Sequence, residues 1–336
     1  MKVSICIPAY RQVEYLRETL QSLLTQDFQD FEVIVTDDSP DDSVCDLLAS
    51  FDFGGRLRYV RNSPALGSPE NWNAALRLAQ GDYVKILHHD DHFIRPDALR
   101  LFVKLLDDAP HADFGFCATL VNHIDVNMQR IHCASDRQLA DLAEDPASLF
   151  VGNCIGAPSA TICRRSASLD YDRQMKWLVD VDYYYRMLMN NRRFAFTTEA
   201  LITTPTNAGH QVTEICRDNG EVELGEAMAF FRKFSPQQQE NPLVKQGWLI
   251  LFKRFRMRKL ADFSRYGVTP PQEAPGQDGY FTILLKKRYT FWNLLRDPKL
   301  LARKIFYRLY PYVPGFIRRA LKQVYARLGP AKSGSR

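Results

Sequence analysis

The chain of 336 residues has no run of about 18 consecutive apolar residues, so no membrane-spanning helix is expected. It also leaves no room for a secretory leader. Met1-Lys2-Val3-Ser4-Ile5 goes directly into a strand-like run, and a cytoplasmic protein is expected. The seven cysteines are odd in number and show no short repeated spacing, which argues against a disulfide framework and a zinc knuckle and favours a reducing compartment. Acids are nearly missing from the end of the chain. Over residues 283–336, 14 Lys or Arg face the single acid Asp297; with the whole chain at +5, that tail carries +13 and residues 1–282 carry −8. An acidic body without a recognition motif speaks against a nucleic-acid binder driven by the tail, and no nucleic acid is expected as a partner.

What is present is alternation. Residues 2–8 are β-branched and apolar up to Pro8, which reads as a buried first strand stopped by proline. Val13, Leu16, Leu20, Leu23 and Leu24 recur at steps of three and four, so an amphipathic helix is expected over residues 13–26. Further strands are expected at 31–36, 57–60 and 83–87, with helices restarting near Asp42, after Ser68-Pro69-Glu70 and after Pro96. Alternation of this kind implies parallel strands joined by right-handed crossovers, an α/β nucleotide-binding architecture. From Ala112 the pattern loosens into a strand at 114–121, short β pieces near 127–133 and a helix around 145–151. With 46% hydrophobic residues the chain can bury a substantial core, as one large domain with an appendage or as two domains.

The strand at 83–87 runs out into His88-His89-Asp90-Asp91-His92. Adjacent carboxylates repel at a few ångströms unless something positive sits among them, and a divalent cation is the natural guest. A solvated loop is the ordinary reading of an isolated Asp-Asp pair. Position changes this, because ligands of open α/β sheets bind beyond the carboxyl ends of the strands.

Four ordered segments carry a family resemblance. Ser4-Ile5-Cys6-Ile7-Pro8-Ala9-Tyr10, Val35-Thr36-Asp37-Asp38-Ser39-Pro40-Asp41, Asn71-Trp72-Asn73-Ala74-Ala75 and Gly81-Asp82-Tyr83 through Asp91 resemble family 2 glycosyltransferases of the GT-A fold, over roughly residues 1–215. The resemblance implies an inverting enzyme that moves a sugar from a nucleotide diphosphate to a hydroxyl. It implies a nucleotide pocket of Pro8, Ala9, Tyr10, Asn71, His89 and Asp90, with Asp38 on the base. A carboxylate accepts a hydrogen bond from the imide nitrogen of uracil or thymine alike, so UDP- and dTDP-sugars both stay open. Turn or helix capping is the other reading of Asp37 and Asp38. The acidic cluster resembles the family's Asp-x-Asp metal motif, with His88 in the place of the first Asp. Asp90 and Asp91 are then the ligands of Mn²⁺ or Mg²⁺, with His88 in support.

On the acceptor side, Trp177-Leu178-Val179-Asp180-Val181-Asp182 resembles the family's Glu-Asp motif, with Val179 in place of the Glu. By that match Asp180 is the general base and Asp182 its fallback, while a helix cap is a compatible role for Asp180. Gly209-His210 and Thr213 resemble the loop whose histidine closes over the diphosphate, which makes His210 a metal or phosphate contact. Gly156-Ala157-Pro158-Ser159 fits an acceptor-site turn or a purely structural one.

Beyond about Gly220 the resemblance ends. Helical periodicity covers 221–234 and 244–263, with breaks at 236–242 and 269–279. In the final segment Phe316, Ile317, Leu321 and Val324 line one face, and Arg318, Arg319, Lys322 and Arg327 fall largely on the other. Such a helix lies on an anionic membrane surface or packs on the domain or a second subunit, and both readings stand. The expected organisation is a GT-A domain at 1–215, a mostly parallel sheet flanked by helices, with a nucleotide-binding half at about 1–110 and an acceptor-binding half at about 111–215. A helical, basic region follows at 216–336. The expected role is metal-dependent transfer to a glycan or lipid-linked acceptor in surface polysaccharide synthesis, at the inner face of the cytoplasmic membrane if the tail binds lipid. A sugar-phosphate nucleotidyltransferase shares a related sheet, but its glycine-rich signature is missing from Pro8-Ala9-Tyr10-Arg11.

Overall fold

Every residue of β1 (Val3–Ala9) and β2 (Phe31–Asp37) is buried in the computed structural model, which describes residues 1–206, 208–209, 211–273 and 278–289. Strands covered on both faces need nearly continuous apolar runs, and these two segments supply them. They pair in parallel from Val3 opposite Phe31 to Ala9 opposite Asp37. β3 (Leu57–Arg61) adds to β2, and β4 (Tyr83–Ile86) adds to the other side of β1, again in parallel. The crossovers are α1 (Val13–Leu24), α2 (Ser43–Ala49) and α3 (Glu70–Leu78). α1 buries Leu16, Leu20 and Leu23 against the sheet, while Leu24, expected on the same stripe, is exposed.

After β5 (His92–Phe93) and α4 (Ala98–Asp107) the pairing changes direction. β6 (Phe114–His123) forms a hairpin with β7 (Met128–His132), and β8 (Thr161–Arg164) sits antiparallel between β4 and β6. β9 (Phe194–Thr206) runs parallel to β6 and antiparallel to β5. The resulting order is β3-β2-β1-β4-β8-β6-β9-β5, with β7 beside β6. The first four strands are thus wholly parallel, and the mixed pairing begins where the sequence pattern loosens.

Among the described residues the remaining α-helices are α5 (Asp136–Glu144), α6 (Val179–Asn190), α7 (Val212–Cys216), α8 (Gly220–Phe231), α9 (Pro236–Gln239), α10 (Pro242–Arg254) and α11 (Tyr280–Tyr289). Local expectations need correction at several places; the helix expected over 244–263 ends at Arg254, and a 3-10 stretch, Leu260–Tyr266, follows it. β1 does not stop at Pro8 but continues to Ala9, because a parallel strand can carry a residue without an N–H near its end. The helix expected at 145–151 is a 3-10 stretch, Pro146–Val151, capped where Asp145 accepts from Ala147 N at 3.0 Å. The α-helix lies just before it, as α5, opened by a capping box between Ser135 and Gln138. Similarly, the break expected at 236–242 contains α9, opened by the same device from Ser235 and Gln238.

The compact unit runs from Met1 to Pro271, well past the division expected after residue 215. The reason is aromatic packing. Phe150 meets Trp248 of α10 at 5.2 Å and Phe234, after α8, at 5.8 Å between ring centroids. Gly247 lets α10 come so close that an added Cβ would stand 2.5 Å from the Phe150 ring. In the second unit, Gln272–Arg336, Glu273 accepts from Phe281 N at 2.7 Å at the start of α11. The amphipathic basic segment around 316–328 lies outside the described residues. Among those described, no helix is long and apolar enough to cross a membrane.

Candidate active site

The carboxyl ends of β1, β2 and β4 open into one cleft of about 980 Å³, and Asp38, Asp90 and Asp180 all line it. β1 delivers Pro8, Ala9 and the half-exposed Tyr10. Arg11 and Gln12 then take left-handed backbone, φ 56° and 46°, which turns the chain sharply away. Non-glycine residues in that region cost on the order of 1 kcal/mol or more each, and Arg11 N donating to Ser39 Oγ at 2.7 Å helps hold the turn.

β2 ends in two carboxylates with different work. Asp37 is fully buried and accepts from Ser39 N at 2.8 Å and Tyr59 Oη at 2.9 Å, a structural role. Asp38 accepts from Asn62 Nδ2 at 2.8 Å, Leu66 N at 3.0 Å and Gly67 N at 2.7 Å. It therefore shapes the loop that walls the cleft and also lines the cleft itself. Asn71 lines the cleft too, but its amide is engaged: it donates to Ala9 O at 3.1 Å and accepts from Asn62 Nδ2 at 2.9 Å. It acts here as the tie that holds Asn62 on Asp38.

Beyond β4 the ionisable cluster is gripped from below. Thr19 Oγ1 of α1 donates to the carbonyls of His89 and Asp91 at 2.9 and 2.8 Å, and His89 Nδ1 lies 3.2 Å from Pro8 O. Asp90 accepts from Gln211 Nε2 at 3.2 Å. Asp91 is the deep member, 1% exposed, and its Oδ1 has no hydrogen-bond partner among the described residues. Burial and the repulsion of Asp90 push its carboxyl well above the usual carboxylate range. His88 is the converse case. Burial holds its imidazole down to about 4, so the ring is neutral near pH 7, and its buried Nε2 also lacks a partner.

One ligand atom from each of His88, Asp90 and Asp91 can be chosen so that all lie within 4.8 Å of one another. A neutral imidazole nitrogen and a carboxylate oxygen, both buried and unsatisfied, fit a divalent cation and are poorly served without one. Lys85, unremarked in the sequence, lies under this cluster, 1% exposed, with Nζ 3.1 Å from Thr161 O and also donating to Ser159 O. Its ammonium sits 3.8 Å from the Phe102 centroid, and burial lowers its pKa to about 7.

The acceptor-side end is built on α6. Asp180 Oδ1 accepts from Val181 N at 2.8 Å and Oδ2 accepts from Asn153 Nδ2 at 2.9 Å. Asn153 is itself fixed, its Oδ1 taking Ile155 N and Gly156 N at 3.0 and 2.9 Å. That is the local work of the Gly156 turn. Burial raises the Asp180 carboxyl to about 6. Asp182 does not share the cleft. It is fully buried in ion pairs with Lys233 Nζ at 2.6 Å and Arg186 Nε at 2.7 Å, so the fallback base is corrected to a structural residue. His210 lies outside the described residues. Trp72 connects the two ends, 4.5 Å from the His88 ring and 5.0 Å from Tyr171, which stacks on Tyr183 at 4.2 Å.

A sheet with a parallel first half, a His-and-Asp cluster beyond β4 and a further carboxylate lining the same cleft is the arrangement of the GT-A class of glycosyltransferase. The chain belongs to glycosyltransferase family 2, whose model, Glycosyl transferase family 2, matches residues 4–171. It is 30% identical over 203 residues to an uncharacterised protein of Mycobacterium tuberculosis, covering 56% of this chain and 62% of that protein. It is 34% identical over 121 residues to the abequosyltransferase RfbV of Salmonella typhimurium, 35% of either chain. These matches span less than two thirds of either relative. Among solved structures, TarS of Staphylococcus aureus in complex with UDP-GlcNAc is similar with a TM-score of 0.52 at 18% identity, over 76% of this chain and 81% of that one, a likeness of fold.

Proposed function

We propose that the protein is an inverting glycosyltransferase that moves a sugar from a UDP- or dTDP-sugar to a hydroxyl of a glycan or lipid-linked acceptor. The observation that carries this reading is the shared cleft of Asp38, Asp90 and Asp180. Asp38 meets the base, Tyr10 and the backbone of Pro8 and Ala9 border the nucleoside, and Asp90, Asp91 and His88 hold Mn²⁺ or Mg²⁺. Bound there, the ion supplies compensation for charge gathering on the departing diphosphate.

Asp180 orients the acceptor. The attacking hydroxyl oxygen forms the new bond to the anomeric carbon, the bond from that carbon to the phosphate oxygen breaks with its electron pair leaving on the nucleoside diphosphate, and the hydroxyl proton passes to Asp180. A carboxyl raised to about 6 is a better match to an alcohol than an ordinary one, because basicity rises with pKa. The cleft near Asp180 is walled by Leu149, Phe150, Leu178, Phe230 and Leu251. Such a wall favours an acceptor with an apolar part, which supports the lipid-linked form in surface polysaccharide assembly.

Thermal shift with UDP, dTDP and GDP, each with and without Mn²⁺, tests the reading. UDP or dTDP is expected to stabilise the protein more than GDP, with an added increment from Mn²⁺ that Asp90→Ala removes. Equal shifts with all three nucleotides would refute the role given to Asp38, and a full Mn²⁺ increment in Asp90→Ala would refute the metal assignment.

A further inference from the structure

Three successive backbone amides just ahead of α6, those of Lys176, Trp177 and Leu178, donate to a single carboxylate, Glu226 of α8, at 2.9, 2.8 and 2.9 Å. Free amides at the start of a helix are the groups that draw an anion, and here the chain supplies its own from 48 to 50 residues away. Glu226 is 9% exposed and does not border the cleft, whereas its helix neighbours Glu223 and Ala227 do. Asp180 follows the clamped amides within the first turn of α6.

We infer that Glu226 is a positioning residue for the acceptor half of the site: it fixes the 176–178 backbone so that α6 begins where Asp180 meets both Asn153 and the cleft. The inference rests on the reading of Asp180 as the base. Its physical basis is the count of acceptors. A carboxylate offers two oxygens to three donors, while the amide of a glutamine offers one oxygen and turns an NH₂ against the remaining donors. An aspartate keeps both oxygens but is one methylene short. Glu226 also adds a negative charge beside Asp180; Tyr171, ahead of α6, and Tyr184 of α6 also interact with Asp180, and Lys176, Glu223 and Arg254 line the same cleft.

The experiment uses the full chain as wild type, Glu226→Gln, Glu226→Asp and Asp180→Asn. Amide hydrogen exchange is read segment by segment, and UDP release is followed from UDP-glucose, UDP-galactose and UDP-GlcNAc, with water as the nucleophile that takes the sugar. Glu226→Gln should speed exchange of the amides at 176–178 by tenfold or more while β1 and β2 stay protected. Turnover should fall at least tenfold with the donor KM within twofold. The acid limb of the kcat profile should also move to lower pH, because a negative neighbour of Asp180 has gone, and Glu226→Asp should fall between.

Unchanged exchange at 176–178 in Glu226→Gln overturns the inference whatever the activity. So does slower turnover with the acid limb unmoved and protection lost throughout, since that is the signature of a merely structural residue. Failure of the underlying reading looks different. Asp180→Asn would then release UDP as fast as wild type, while the exchange result would still report whether Glu226 holds the segment.

Discussion

Asp180 and Asp182 sit two positions apart on one helix and do opposite things, because α6 turns one to the cleft and the other to Lys233 and Arg186. Asp180→Asn is expected to lower kcat by about 10²–10⁴ in a transfer assay, the range for loss of a general base. In the wild type, activity should rise with pH through about 6, as the buried carboxyl of Asp180 gives up its proton. The same burial has a cost in stability. A carboxyl whose folded pKa lies above its unfolded value binds its proton more tightly in the folded state, so stability falls as pH rises from about 4 to about 6 and stays lower above. Asp180→Asn should therefore gain about 1–2 kcal/mol at pH 8 in a urea titration. Asp182→Asn is the contrasting case: it breaks two buried ion pairs and should lose about 3 kcal/mol, while the kcat of the protein that remains folded is little changed. Asp180 stands out in the sequence through its motif resemblance, and it lines the cleft. Asn153, Thr19 and Lys85 do not stand out there, because each acts through partners 27 to 76 residues away.

At the scale of elements, periodicity located those parts whose local pattern and tertiary burial agree. α1 and α4 each turn one apolar stripe to the sheet, and β1 and β2 are buried throughout and mostly apolar. α5 buries only Leu142, and its capping box between Ser135 and Gln138 is a local signal that the reading of a helix at 145–151 passed over. Close approaches between elements stay hidden in the sequence. At Gly81 an added Cβ would lie 2.7 Å from Ser4 N and 2.8 Å from Val3 C, where backbone meets backbone. Gly81→Ala is thus expected to destabilise the protein by roughly 1–3 kcal/mol in chemical denaturation. A smaller effect would mean that β1 and the turn into β4 can separate without loss.

At the scale of the whole molecule, the first unit extends to Pro271 and includes α8 and α10. Cutting the chain after residue 215 removes Trp248, Phe234 and Glu226, and strips Phe150 of much of its aromatic surroundings. That fragment should be aggregation-prone, with loose packing around α6. The fragment ending at Pro271 should keep a single cooperative thermal transition and bind UDP with the affinity of the full chain. If the 215 fragment proves as stable as the longer one, the cluster around Phe150 contributes little to the fold.

The sequence by itself determined the alternation of strands and helices in the first half and the ionisable tip beyond β4, since these follow from local spacing and side-chain chemistry, while Asp180 was singled out by the resemblance of its motif. Only the tertiary structure decided that Asp91 is the deepest acid of the tip, that Asp182 is structural, that Asn71 is a tie, and that α8 belongs to the same body as the site. The physical reason is one of range. Periodicity and capping act over a turn or two of chain, whereas burial, charge pairing and the sharing of a carboxylate among distant amides are set by which segments the folded sheet brings together.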